Sequence, residues 1–192
     1  MRLTDPEVSA LGERSLFVRD GWLGRLAAVG VREALEALHR EGAFHPAGMS
    51  RGAQHRIERE ERGDVVTWLS PETRVPVLRA LHDAFAELRE ALNRDAWLGV
   101  ERFDVQLARY DEGARYANHL DAFPGGPNRR VTAIYYVNDG WAPAHGGRLV
   151  AEGVPIEPMA DRLVVFLSER VRHEVEPALA PRYTATAWYY GP

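Results

Sequence analysis

The chain reads as mainly β with supporting helices: a helix-supported β-sandwich or jelly roll. Three observations give this class. Two amphipathic helical stretches fall in the first half, short strand-like runs follow one another from about residue 102 onward, and Gly/Pro clusters separate those runs. At 192 residues the chain suits one domain with a substantial core, and no linker divides it. Residues 1–192 are therefore expected to form one unit, with 1–100 as helical support plus a long loop and 101–192 as the strand-rich core.

The elements follow in order. Residues 1–14 are polar and expected to be loosely ordered, and Leu16-Phe17-Val18-Arg19-Asp20 reads as a short strand. Leu26, Ala27, Val31, Ala34, Leu35 and Leu38 recur at helical spacing and give a helix over about 23–40, stopped near Gly42. Residues 43–63 lack periodicity and are expected to be a long mobile loop, of a length that is often functional in a compact domain. Val65–Leu69 reads as a strand, and Leu78, Leu81, Phe85, Leu88 and Leu92 mark a second helix over about 72–93. Strands are then expected at 103–110, 116–121, 131–138, 147–152, 162–167, 172–176 and 182–190. Asp111-Glu112-Gly113, Pro124-Gly125-Gly126-Pro127 and His145-Gly146-Gly147 supply turns between them.

Composition narrows the function classes. The net charge of −4 and the lack of a basic run argue against nucleic-acid binding. The chain has no cysteine, which excludes disulfides and thiolate catalysis. All 24 basic residues are arginine, so no lysine can form a Schiff base. The first residues do not make a signal peptide, and no stretch approaches the roughly 18 apolar residues of a membrane span. A cytoplasmic protein is the expectation.

His119-x-Asp121, His173 and Arg182 carry the chemistry. Side chains at i and i+2 of an extended segment share a face, so His119 and Asp121 can reach one metal together. His173 must then arrive from a strand distant in sequence and adjacent in space. Two histidines and one carboxylate leave coordination positions open, which suits a non-haem iron oxygenase. On the last strand Arg182, Thr184, Thr186 and Trp188 share a face, which would put a guanidinium in the cavity beside the metal. A buried guanidinium needs a partner, and a dicarboxylate co-substrate such as 2-oxoglutarate supplies one. Tyr136 shares a face with Ile134 and Thr132 and can donate to that carboxylate, while Tyr110 and Tyr116 can shape the pocket beside the metal. Each feature alone has a bland reading: most His-x-Asp pairs bind nothing, and strand tyrosines usually pack. Of the other histidines, His145 beside two glycines is the natural decoy.

At these residues the sequence resembles the prolyl-4-hydroxylase branch of the Fe(II)/2-oxoglutarate dioxygenases, and most closely the oxygen-sensing prolyl hydroxylases that act on hypoxia-inducible factor. The resemblance runs over about residues 16–190. It is carried by Tyr116-Ala117-Asn118-His119-Leu120-Asp121, Val131–Asn138, Gly146–Leu149, Asp161–Leu163, His173–Ala178 and Arg182–Tyr189, with Arg62-Gly63-Asp64 and Thr67-Trp68 upstream. It implies a double-stranded β-helix, a cupin-like jelly roll with the N-terminal helices packed on one sheet. It also implies Fe(II) held by His119, Asp121 and His173, with 2-oxoglutarate and O₂ as co-substrates and ascorbate as reductant. By the same resemblance Arg182 and Tyr136 bind the far carboxylate of 2-oxoglutarate, Tyr110 lies beside its chelating end, and Thr186 and Trp188 line the cavity. Asp64 and Arg130 are expected to pair and anchor loop 43–63 as a lid, with Trp68 and Tyr116 on the substrate side.

The reaction implied is hydroxylation of a prolyl residue in a protein or peptide to 4-hydroxyproline, with succinate and CO₂ released. The family's bacterial members make a translation elongation factor a candidate partner. Free proline or another small molecule is the alternative acceptor, and a non-catalytic metal-binding sandwich is a third reading. The sequence departs from the family at Gln106, where a large apolar residue is usual, and in a turn after Asp121 longer by one residue. The chain also ends at Pro192 directly after the last strand, so no C-terminal helix is expected.

Overall fold

The computed structural model describes residues 1–48, 61–122 and 128–192. Helices α1 (Asp5–Arg14), α2 (Arg25–Arg40) and α3 (Pro76–Ala96) belong to the first half of the chain. The strands are β1 (Leu16–Asp20), β2 (His45–Pro46), β3 (Val65–Leu69), β4 (Arg102–Tyr110), β5 (Tyr116–His119) and β6 (Arg129–Tyr136), then β7 (Leu149–Ala151), β8 (Val154–Ile156), β9 (Arg162–Leu167), β10 (His173–Val175) and β11 (Arg182–Tyr190). They form two sheets, a seven-stranded one in the order β1-β9-β6-β11-β4-β3-β2 and a four-stranded one in the order β5-β10-β7-β8. Every pairing within both sheets is antiparallel. This is the double-stranded β-helix that the sequence predicts.

Alternation along the strands of the large sheet divides the interior into two layers. Leu107, Val131, Tyr135, Val165, Ala185 and Tyr189 face the helices and pack with Leu35 of α2 and Phe85 and Leu88 of α3. Their neighbours Ala108, Tyr110, Ile134, Tyr136, Val164 and Phe166 face the small sheet and pack with Leu149, Ala151 and Val175. Phe85 and Leu88 are fully buried, and each such side chain contributes about 1.5–3 kcal/mol of transfer free energy. The helix layer thereby covers one face of the large sheet and leaves its other face to form one wall of a site.

Residues 1–14, expected to be loose, instead contain α1. Pro6 sits in the first turn, the Glu7 carboxylate accepts from the Thr4 backbone N–H at 2.7 Å, and Arg19 of β1 binds Glu7. Leu3, Ala10 and Leu11 then join the core. The single strand expected at 147–152 is one arm of a hairpin, because β8 returns beside β7 after a turn at Glu152-Gly153. In loop 43–63, His45 and Pro46 pair with β3, and residues 49–60 lie outside the described residues, as does the turn at 124–127.

Candidate metal centre and co-substrate cleft

The centre is assembled from neighbouring strands of the small sheet. In the β5–β10 pairing His173 lies directly opposite His119, and the register slips between His173 and Val175. Asp121 follows β5 by two residues, where the chain has already left the strand. One donor atom from each of His119, Asp121 and His173 lies within 4.8 Å of the others. The Nε2 atoms of His119 and His173 stand 3.6 and 3.8 Å from the Asp121 carboxylate oxygens.

The ring orientations fit a metal. His119 Nδ1 lies 2.8 Å from the Ala117 carbonyl and His173 Nδ1 lies 3.2 Å from the Val171 carbonyl. A proton on each Nδ1 satisfies these carbonyls and leaves both Nε2 lone pairs aimed at the centre. Oδ2 of Asp121 accepts from Thr132 Oγ1 at 2.7 Å and from Trp188 Nε1 at 3.0 Å, which leaves Oδ1 available for coordination. Burial pushes the Asp121 carboxyl up, yet His119, His173 and the Thr132 hydroxyl together hold it well below the usual carboxylate range. Burial lowers His173, against the pull of Asp121. A neutral imidazole and an ionised carboxylate are the forms that bind Fe(II).

A cleft of about 440 Å³, counted out to its open mouth, runs from this centre between the two sheets. Arg182, Thr184, Thr186 and Trp188 of β11 line it together, as alternation predicts, and Gln106 and Tyr110 of β4 lie beside them. The Arg182 guanidinium carbon stands 4.7 Å from the Tyr110 ring centre and 5.2 Å from that of Tyr136. Arg182 is 4% exposed, and both its Nε and the Tyr136 hydroxyl are buried without a hydrogen-bond partner among the described residues. Buried donors of this kind point to a missing acceptor, and a carboxylate supplies it. Burial raises the Tyr136 and Tyr110 phenols, so both remain protonated donors. Gly147 backs the arginine: its φ is +68°, and a Cβ there would meet Arg182 Cδ at 2.9 Å.

On the opposite flank Arg62 donates to Asp64 from Nε at 2.8 Å and from Nη2 at 3.2 Å, and Nη2 also donates to Gln106 Oε1 at 3.0 Å. The Asp64–Arg130 pair expected from the resemblance does not form. Asp64 is taken by Arg62, while Arg130 donates to the Leu98 carbonyl at 3.3 Å and lies against Gly191. The reason is a β-bulge. Tyr189 pairs with Val131 but Tyr190 pairs with Arg129, so Arg130 is the extra residue and the facing of β6 inverts there. Arg129 is the residue turned inward, its guanidinium 4.2 Å from the Trp188 ring centre. A bulge leaves no mark in an alternating pattern, so no sequence signal announces this exchange.

Trp68 of β3, the strand next to the edge of the large sheet, is 45% exposed and tilted against Trp188 at 5.9 Å. Tyr116 stacks on His119 with ring centres 3.7 Å apart. The decoy His145 takes no part in the centre, and its Nδ1 accepts from the Ala142 backbone N–H. Thr132 as a partner of Asp121 was readable only in part, from its sharing a strand face with Tyr136.

Comparison with known proteins gives the family to which this fold and triad belong. The family model for the 2OG-Fe(II) oxygenase superfamily matches residues 105–190. Human "Prolyl hydroxylase EGLN3" is 34% identical over 200 residues, covering 95% of this chain and 81% of that protein. A Pseudomonas putida prolyl-4-hydroxylase structure superposes with a TM-score of 0.85 at 32% identity, covering 97% of this chain and 98% of the other. A Trichoplax adhaerens prolyl hydroxylase, solved in complex with a hypoxia inducible factor oxygen degradation domain peptide fragment, gives 0.86 at 28% identity over 96% of this chain and 87% of that one. With its triad intact, the chain is an enzyme that uses Fe(II), 2-oxoglutarate and O₂. It belongs to the Fe(II)/2-oxoglutarate-dependent oxygenases, in the family of the prolyl hydroxylases.

Proposed function

We propose that the protein hydroxylates a prolyl residue of a protein or peptide at C4. One observation carries the reading: the triad and Arg182 line one cleft, and the Arg182 Nε and the Tyr136 hydroxyl beside it are buried without a hydrogen-bond partner among the described residues. The whole chain acts as one catalytic unit in this proposal, with the helices supporting the large sheet. When bound, Fe(II) with 2-oxoglutarate and O₂ supplies the oxidation, in which one oxygen atom enters succinate, CO₂ leaves and the other oxygen atom enters a C–H bond.

The chain's own residues bind and orient. His119, Asp121 and His173 hold one face of the metal and leave the other face free. Arg182 and the Tyr136 hydroxyl take the far carboxylate of 2-oxoglutarate, Tyr110 lies beside its chelating end, and Thr186 and Trp188 line its path. The apolar layer around Ile134 and Val164 excludes water from that path. Trp68, Tyr116 and the Arg62–Asp64 pair form the substrate side, with Arg129 in the place first expected of Arg130.

A peptide acceptor is favoured because the similar Trichoplax adhaerens prolyl hydroxylase is solved in complex with a peptide fragment, and because Trp68 stands exposed beside Trp188 of the cleft wall. A translation elongation factor is a candidate acceptor, and ascorbate a reductant that sustains turnover. The test incubates enzyme with Fe(II), 2-oxoglutarate, ascorbate and either prolyl peptides, cell proteins or free proline. Mass spectrometry should find a gain of about 16 Da on a prolyl residue, matched by succinate. Modification of free proline alone would establish the small-molecule reading. Binding of neither Fe(II) nor 2-oxoglutarate would leave only a non-catalytic sandwich.

A further inference from the structure

Gln106 is a buried amide in the wall of the cleft, on the face of β4 that it shares with Ala108 and Tyr110. It sits in the middle of β4 with Trp68 of β3 and Thr186 of β11 as register neighbours, and it is 7% exposed. The hydrogen bond it accepts from Arg62 fills a corner of the guanidinium that Asp64 does not fully occupy. Asp64 sets the plane of the fork with two parallel bonds, and the Gln106 bond braces its Nη2 edge from a second direction against rocking. An apolar side chain at 106 would remove the second partner from a nearly enclosed charge.

The fixed plane matters because of what lies against it. The Arg62 guanidinium carbon is 4.6 Å from the Tyr116 ring centre, and Tyr116 stacks on His119 at 3.7 Å with 18° between the planes. Guanidinium, phenol and imidazole thus form one continuous pile that ends on a metal ligand. His119 needs the support more than its partner does, since its side chain is 18% exposed against 5% for His173. The Nδ1 contact to Ala117 pins one ring atom, and the pile sets the tilt of the plane.

We propose that Gln106 is a positioning residue for the metal ligand His119, acting through Arg62 and Tyr116. The proposal rests on the metal-centre reading above.

The test is Mn(II) affinity by electron paramagnetic resonance, without co-substrate, for the wild type, Gln106→Met, Arg62→Lys and the double variant. Methionine keeps the length and bulk of glutamine without the acceptor. Lysine keeps the charge beside Asp64 without the planar fork. Each single variant should bind Mn(II) about tenfold more weakly, the low end of the loss seen when a ligand's supporting partner is removed. The double variant should be no weaker than the weaker single, because both act on one pile. Unchanged Mn(II) affinity in Gln106→Met, even with a lowered Tm, would overturn the proposal and make Gln106 a packing residue. Losses that multiply in the double variant would overturn it too. A wild type that fails to bind Mn(II) would overturn the metal-centre reading itself, which separates the two failures.

Discussion

The indole N–H of Trp188 and the Asp121 carboxylate are joined at 3.0 Å, on the same oxygen that Thr132 holds at 2.7 Å. Both donors come from the large sheet, whereas the two histidines come from the small one. The carboxylate therefore ties the sheets together across the centre. Trp188→Phe keeps an aromatic ring and removes the donor, and Fe(II) affinity should fall about tenfold. An anaerobic chelator competition reads this directly, and an unchanged affinity would reduce the indole to packing.

Arg182→Ala should weaken 2-oxoglutarate binding by about 2–4 kcal/mol, the range for truncating one side of a buried, hydrogen-bonded charge pair. Arg182→Lys should recover only part of the loss, since an ammonium cannot meet a carboxylate with two parallel bonds. Calorimetry on the Mn(II) form measures both. Affinity for the metal alone should stay as in the wild type, because Arg182 touches none of the three ligands.

Arg62→Met should destabilise the fold by about 3–5 kcal/mol, because it strands the Asp64 carboxylate without its counter-ion. That carboxylate's side chain is 1% exposed. Urea unfolding of the metal-free protein gives the number. A loss below about 1 kcal/mol would mean that water reaches Asp64 in the folded state.

Acid should destabilise the metal-free protein in two stages. His173 is lowered by burial, so below about pH 6.5 the unfolded chain takes up a proton that the folded one resists. Asp121 is also held low, so its stabilisation is complete above about pH 3.9 and is lost as pH falls further. Both groups give stability that rises with pH. The urea midpoint should drop from pH 7 to pH 5 and again from pH 5 to pH 3, and Asp121→Asn should flatten the second drop.

Much of this was legible in the sequence because it depends on period alone. Strands Val65–Leu69, Arg162–Leu167 and Arg182–Tyr190 have the expected bounds, and the face shared by Arg182, Thr184, Thr186 and Trp188 is the cleft wall. What stayed hidden depends on single residues that break a period. The bulge at Arg130 exchanged it for Arg129, and the turn at Gly153 folded one expected strand into a hairpin. Helix α1 was missed because few apolar residues mark it, although Thr4, Pro6 and Glu7 carried its start signal. The pile from Arg62 to His119 joins segments whose contact no local pattern encodes.

The bare backbone at Gly147 has a consequence for anyone redesigning this enzyme. One methyl group there would push directly on the arginine stem, so the seat of Arg182 is kept open by an atom the chain omits. Enlarging residues on the neighbouring strands would narrow the chamber sideways. A substituent at this one position would displace Arg182 itself, in a backbone conformation that L-residues rarely adopt.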